Sequence, residues 1–200
     1  MSRLLSDRAG KTNQVVVLPS ALEDPANSPP GLYRVGLLTS CLSISAFFVS
    51  LVIAYYWRKQ TPPFWEPVPI PKTLGLSTVL ILISSATFET ARRLFRRGEW
   101  RIASRFLLAT ASLGAAFLAS QLTAWRSLVI HGAFLARNPH SSFFYMFTGL
   151  HAAHLIGGLV VLFVVVLGNS KRRELIDVAT LYWHFLGVLW IALYWVLVTA

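Results

Sequence analysis

The chain has few charged residues for its length and almost no cysteine. Only 13% of its 200 residues are charged and 55% are hydrophobic, whereas an average soluble domain has about a quarter charged residues. Water therefore cannot be the main solvent of the folded chain. Cys41 is the single cysteine, which excludes an intrachain disulfide. The sequence also lacks paired carboxylates, a nucleophile elbow, a phosphate loop and a Cys–His cluster, so we expect no catalytic site in this chain.

Five long apolar segments dominate what is present. Residues 1–32 are polar and contain four prolines, so we expect a disordered cytoplasmic tail there. A membrane domain over 33–200 is predicted to follow, with a proline-rich, non-helical connection at 62–71. Each segment approaches or exceeds the roughly 20 residues that a bilayer-spanning helix requires. The predicted fold class is an all-α membrane protein with five transmembrane helices, at about 33–57, 73–91, 102–125, 142–167 and 176–198.

Positive charge is distributed unevenly between the two sides of the predicted membrane domain. The N-terminal tail with the start of the first span holds four lysines and arginines, the second connection six and the fourth connection three, so 13 of 18 lie on one side. Positive residues are retained in the cytoplasm, which predicts a cytoplasmic N-terminus and an external C-terminus. We expect a multi-pass membrane protein. No nucleic-acid recognition module accompanies the net charge of +10, so a nucleic-acid partner is not expected.

Three histidines lie inside the fourth and fifth segments. His151 and His154 are three residues apart, and His184 lies in the fifth segment. Imidazole is a common ligand of metals and haem, but it also hydrogen-bonds neighbouring helices. Counted from the predicted inner ends, His154 lies roughly 20 Å and His184 roughly 9–12 Å deep. This difference in depth argues against a shared ligand, so no metal or cofactor is expected in this chain and the histidines are predicted to be packing residues.

The other polar groups inside the segments are also predicted to join helices. Glu89 lies one turn from Arg92 and Arg93, and an ion pair at this spacing is favoured over a role in carrying protons. Gln121 is expected to hydrogen-bond across helices, and small residues let helices approach closely. The remaining predicted packing residues are Ser84, Ser85, Gly157 and Gly158.

Several of these segments resemble a known family. Residues 143–158, FFYMFTGLHAAHLIGG, resemble the "FF…TG.HG.HV..G" helix of cytochrome c oxidase subunit III. Residues 182–190, YWHFLGVLW, are similar to the final helix of that family, "YWHF.D..W". Residues 73–98 resemble its "NT…SS.T…RG" segment and residues 117–121 its "F…Q..E" segment. The resemblance runs in order across all five spans, as in the short bacterial form of the family.

The resemblance implies a non-catalytic subunit of a respiratory haem–copper terminal oxidase, which reduces O2 with electrons from cytochrome c or quinol and translocates protons. Haem and copper would lie in the partner subunits, with none in this chain. The chain would contact oxidase subunit I directly, join subunit II in the complex and bind phospholipids. In this interpretation His151, His154, Trp183 and His184 are helix-packing residues.

Acids of the family pattern are replaced at three places. The first span contains no acidic residue, Ala124 stands where an acid follows the family's glutamine, and Gly187 replaces the aspartate of "YWHF.D". Proton uptake through those carboxylates is therefore not expected, whereas a structural role does not depend on them.

Two other functions stay open at this point. The loss of three acids is compatible with the subunit III-like accessory protein of a nitric oxide reductase. The histidines would instead allow a haem-binding membrane anchor. The electron donor and the haem types are properties of other subunits, so this sequence does not choose between them.

Overall fold

The computed structural model describes residues 32–61, 71, 73–130, 139–167 and 173–199. The five predicted membrane helices are confirmed, because each helix in these ranges is long and apolar enough to cross a bilayer. The N-terminal tail and residues 62–70 of the proline-rich connection lie outside the described residues. The helices are α1 (Leu32–Lys59), α2 (Thr73–Arg96), α3 (Trp100–Ile130), α4 (Pro139–Leu167) and α5 (Arg173–Thr199).

Most of the helices continue beyond the apolar segments that predicted them. The second ends at Arg96 rather than at residue 91, and the fifth begins at Arg173 rather than at residue 176. The predicted ends stopped at charged residues because charges avoid hydrocarbon. Backbone hydrogen bonding does not stop there, since arginine is a good helix former and its long side chain reaches back to the aqueous interface.

A tight turn joins α2 to α3. The amide of Glu99 donates to the carbonyl of Leu94 and the amide of Gly98 donates to that of Phe95, both at 3.0 Å. Gly98 has a φ of 84°, a left-handed conformation that glycine adopts without a Cβ penalty. These two bonds form the Schellman termination of a helix. The turn leaves α2 and α3 antiparallel and in contact.

The indole of Trp183 on α5 fills the space between α2, α3 and α4. A Cβ added to Gly114 of α3 would lie 2.9 Å from Cη2 of Trp183, and one added to Gly158 of α4 would lie 3.4 Å from its ring. Phe88 of α2 meets the same indole edge-on, with ring centroids 5.9 Å apart. The two glycines therefore create the room that the indole of Trp183, one of two fully buried tryptophans, occupies.

α1 is the least buried of the described helices. Only Leu37, Phe48 and Tyr55 are buried along its 28 residues. Its backbone stands apart from the backbones of α2–α5, and large side chains span the gap. The ring of Tyr55 contacts those of Phe143 and Phe147 on α4 at centroid distances of 5.5 and 5.8 Å.

The fit between Trp183 and Gly114 generates a prediction about stability. Gly114→Ala places a methyl group inside contact distance of the indole, and overpacking of this kind costs about 1–3 kcal/mol. We expect the variant to melt at a lower temperature than the parent protein in detergent. Gly157→Ala is the matched control, because a Cβ there meets nothing within 4 Å and alanine favours a helix by up to about 1 kcal/mol. Equal melting temperatures for the two variants would contradict the packing described here.

Candidate functional site

Ion pairs connect α2 to α5 at one end of the bundle, which we call the arginine-rich end. Glu89 accepts hydrogen bonds from Arg92 and Arg93, each at 2.9 Å. Asp177 of α5 accepts from Arg96 of α2 through both carboxylate oxygens, at 2.9 and 2.8 Å. The Asp177 pairing was not predicted from the sequence, because 81 residues separate it from Arg96 and only the fold brings them together.

His184 extends this cluster toward α5. Its Nε2 lies 3.7 Å from Oε2 of Glu89, the oxygen that the two arginines leave open. The side chain of His184 is 37% exposed and that of Glu89 is 21% exposed. Glu89 is thus the point where a carboxylate, two guanidinium groups and an imidazole from two helices meet.

A cavity of about 240 Å³ opens at the arginine-rich end between α1, α2 and α5. Arg92 and Arg96 line it beside Asp177, and Arg34 faces it from the first turn of α1. Its apolar wall includes Leu37, Leu38 and Leu181. The cavity therefore combines guanidinium groups with an aliphatic surface, the two features that an anionic amphiphile requires.

His154 and His184 are not separated by depth in the way that the sequence predicted. Gly158 of α4 lies against Tyr182 and Trp183 of α5, and the Tyr182 hydroxyl donates to the His154 carbonyl at 3.3 Å. The two histidines consequently lie roughly 3–5 Å apart along the bundle, at 1.5 Å per residue. The depth argument was wrong because α5 begins three residues earlier than expected.

Direction, rather than depth, separates the two side chains. Nδ1 of His154 lies 2.7 Å from the Leu150 carbonyl of its own helix, and its ring contacts that of Phe48 on α1 at 5.9 Å. The His184 ring instead faces Glu89 on α2. His151 is fully buried between Phe117 and Trp190, with ring centroids 5.7 and 5.1 Å away. The three imidazoles therefore contact three different sets of helices.

Ser84 lies at the junction of α2, α3 and α5. Its hydroxyl accepts a hydrogen bond from Nε1 of Trp183 at 3.0 Å and donates to the carbonyl of Thr110 at 3.3 Å. Ser85, the next residue, faces Gly187 of α5, where an added Cβ would lie 3.2 Å from its Oγ. The adjacent serines thus contact α5 through a hydrogen bond in one case and close approach in the other.

Gln121 connects α3 to α2. Its Nε2 donates to Oγ of Ser77 at 2.8 Å, and the hydroxyls of Ser77 and Ser120 are 2.7 Å apart. All three side chains are buried. Across the described ranges, no three side chains of His, Cys, Asp or Glu are grouped so that they could hold a metal ion. The buried polar side chains of Ser77, Ser120 and Gln121 thus join α2 to α3.

The membrane helices and their contacts lie within a stretch of sequence that matches one protein family. The model of the cytochrome c oxidase subunit III family matches residues 29–199. This chain belongs to the cytochrome c oxidase subunit III family. Its similar relatives include the probable cytochrome c oxidase subunit 3 of Mycobacterium tuberculosis, 30% identical over 178 residues, which are 84% of this chain and 88% of the relative.

Two further relatives come from other organisms. The probable cytochrome c oxidase subunit 3 of Nocardia farcinica is 30% identical over 176 residues, covering 82% of this chain and 86% of the relative. The cytochrome c oxidase subunit 3 of Synechocystis is 28% identical over 176 residues, covering 82% of this chain and 74% of the relative. The family is that of a subunit without its own catalytic centre.

The replaced acids have a structural explanation in this subunit III family member. Ala124 is completely buried in the core of the bundle, where an unpaired carboxylate would be expensive. At Gly187 the hydroxyl of Ser85 occupies the space next to the backbone, so an aspartate would have to displace it. Ala124 thus belongs to the buried core, and Gly187 is closely packed against α2.

Gly157 differs from the neighbouring glycine. It is exposed and a Cβ there would meet nothing within 4 Å, whereas Gly158 packs against Trp183. The sequence pattern alone cannot separate the two, because both follow the second histidine of the same motif. Within this chain Gly157 has no packing partner among the described residues, so a packing role for it would involve another molecule.

Proposed function

We propose that this chain is the non-catalytic third subunit of a respiratory haem–copper oxidase in the bacterial inner membrane. The match to the subunit III family over residues 29–199 carries the proposal. In it, the chain stabilises subunit I by direct contact, subunit II completes the complex, and haem and copper in those partners reduce O2. The polar contacts described above then keep the shape of the bundle.

The names of the relatives favour this function over the two alternatives. All three relatives described above are named as subunits of cytochrome c oxidase, rather than as accessory proteins of a nitric oxide reductase or as haem-binding anchors. His151, His154 and His184 contact different helices, which gives a haem-binding anchor no support from the geometry.

One face of α3 suits contact with a helix of the large subunit. This face has exposed residues at alternating intervals of four and three, and we call them the α3 stripe. They are Arg105, Ala109, Ser112, Ala116, Ala119, Thr123 and Arg126. Helices in membranes associate where small side chains let backbones approach, because lipid tails remove any hydrophobic advantage. The exposed face of α4 carries bulky Ile156, Val160 and Phe163 instead, which suits acyl chains.

The cavity at the arginine-rich end is proposed as a phospholipid site. Asp177 engages Arg92 and Arg96, whereas Arg34 makes no ion pair with any residue in the described ranges. A phosphate headgroup could therefore bind Arg34 while its acyl chain follows Leu37 and Leu38. Arginine is well suited to phosphate because its guanidinium group offers several parallel hydrogen bonds.

The arginine-rich end is proposed to face the cytoplasm. Arg34, Arg92 and Arg96 line one cavity, so the positive residues at the start of α1 and the end of α2 lie on the same side of the bundle. Positive residues near short connections stay in the cytoplasm. This orientation gives a cytoplasmic N-terminus and an external C-terminus.

The test of function is the identity and chemistry of the partners. The tagged chain, purified in mild detergent, should carry a larger subunit that contains haem and copper and consumes O2. Ala116→Trp should reduce the amount of that subunit recovered per chain several-fold, because the indole separates two helices at the α3 stripe. Quantitative mass spectrometry of the purified complex measures the ratio.

The control places the same side chain where lipid is expected. Val160→Trp on α4 should leave the subunit ratio unchanged. Recovery of the chain alone, or with a partner that consumes nitric oxide and not O2, would overturn the oxidase proposal. Full recovery with Ala116→Trp would overturn only the assignment of the α3 stripe.

The lipid proposal predicts a change in bound phospholipid. Arg34→Gln removes the unpaired guanidinium, so the complex should retain fewer anionic phospholipids after detergent exchange. Arg101→Gln, an equal loss of charge at an exposed residue that lines neither the cavity nor the α3 stripe, should retain the parent amount. Native mass spectrometry counts the lipids, and equal retention by both variants would contradict the site.

The proposed orientation predicts the location of the C-terminus. Alkaline phosphatase fused after Ala200 should be active, because the enzyme folds only outside the cytoplasm, and a green fluorescent protein fused there should stay dark. A fluorescent fusion with inactive phosphatase would reverse the orientation. Neither outcome bears on whether the chain belongs to the subunit III family.

A further inference from the structure

A polar layer crosses the core of α2–α5 at the level of Trp190. Nε1 of Trp190 donates to Oγ1 of Thr78 on α2 at 3.1 Å. The same indole contacts the ring of Phe117 on α3 at 4.8 Å and that of His151 on α4 at 5.1 Å. Four helices therefore meet around one side chain, far from the ion pairs of the arginine-rich end.

His151 and Gln121 lie at the same level of this layer. α3 and α4 are antiparallel, since Trp125 donates to Thr148 while Leu159 lies against Gly114. These contacts place Gln121 opposite residue 152, next to His151. Both residues also border Phe117, which contacts the imidazole and precedes Gln121 by one helical turn.

Both of these side chains contain buried polar atoms that have no hydrogen-bond partner among the described residues. His151 is 0% exposed and Gln121 is 1% exposed. Within the described ranges, neither ring nitrogen of His151 nor Oε1 of Gln121 has a hydrogen-bond partner. A neutral imidazole offers one donor and one acceptor, and a carbonyl oxygen offers an acceptor. Buried polar atoms in native proteins are nearly always satisfied, by protein or by ordered water.

We propose that an internal water molecule binds between His151 and Gln121 in the core of the bundle. The water accepts the N–H of His151 and donates to Oε1 of Gln121, so donors and acceptors match. If the Gln121 amide is rotated by 180°, its oxygen accepts from Ser77 and its NH2 group donates to the water instead. In either orientation one polar group of the Gln121 amide can hydrogen-bond the water, so the proposal does not depend on how the amide is assigned.

A bridging water would change how α4 is attached. Gln121 already hydrogen-bonds Ser77 of α2, and the water continues this path to His151 on α4. The ring nitrogens of an imidazole point in different directions, so the second nitrogen requires another water or the π face of a neighbouring ring. Polar contact would then run unbroken from α2 through α3 to α4.

A structure of the purified complex at a resolution that shows ordered waters tests the proposal directly. We expect density within about 2.7–3.2 Å of one His151 ring nitrogen and of the Gln121 amide. Clear waters elsewhere in the core with none at this site would overturn the proposal. Hydrogen bonds from both ring nitrogens of His151 to protein atoms would also overturn it.

A double-mutant cycle provides an independent measurement. His151→Phe and Gln121→Leu each remove one side of the bridge, so the second substitution should lower the melting temperature less when the first is already present. Losses that simply add would overturn a shared water. Thr180→Val is the control partner for His151→Phe, because it lies ten residues from Trp190 along α5, roughly 15 Å, and should give additive losses. If His151→Phe is not recovered from membranes, the wild-type density decides the question.

Discussion

In hydrocarbon, apolar helices gain no hydrophobic free energy by contacting one another instead of lipid, and this constraint governs the whole bundle. Each backbone polar group must be satisfied inside its own helix, which makes the five helices obligatory but leaves their arrangement undetermined. The arrangement then depends on close approach at small residues and on a few polar contacts. Trp183 combines both, since its ring fits against Gly114 and Gly158 while its N–H donates to Ser84.

The fold was predictable from sequence because its signal is local. A run of about 20 apolar residues can be read without knowing what it touches, so all five helices were found. Their ends were less accurate, since the bilayer boundary and the last backbone hydrogen bond are different physical limits. The contacts between helices were still harder to predict from the sequence. Glu89 could be paired with Arg92 because they share a helix, whereas Asp177 and Arg96 meet only in three dimensions.

The histidine motif shows the same limit within the candidate site. Spacing places His151 and His154 on one helix, but it does not state which neighbours each imidazole meets. A shift of three residues at the start of α5 was enough to invalidate the comparison of depths. The contacts with Phe48, Glu89 and Trp190 show that the three imidazoles face different helices. No local sequence pattern identifies these neighbours. Packing at Ala124 and Gly187, where the sequence lacks the family's acids, likewise becomes visible only in three dimensions.

The turn at Gly98 has a consequence for the order in which the chain is assembled. Residues 97–99 are all that separate α2 from α3, so this hairpin can pair as soon as both helices have left the ribosome. The indole that occupies the recess at Gly114 is synthesised 69 residues later. The recess at Gly114 therefore lacks its indole while only the α2–α3 hairpin has been made. The close contact of α5 with α3 at Gly114 can form only after the α2–α3 hairpin is complete.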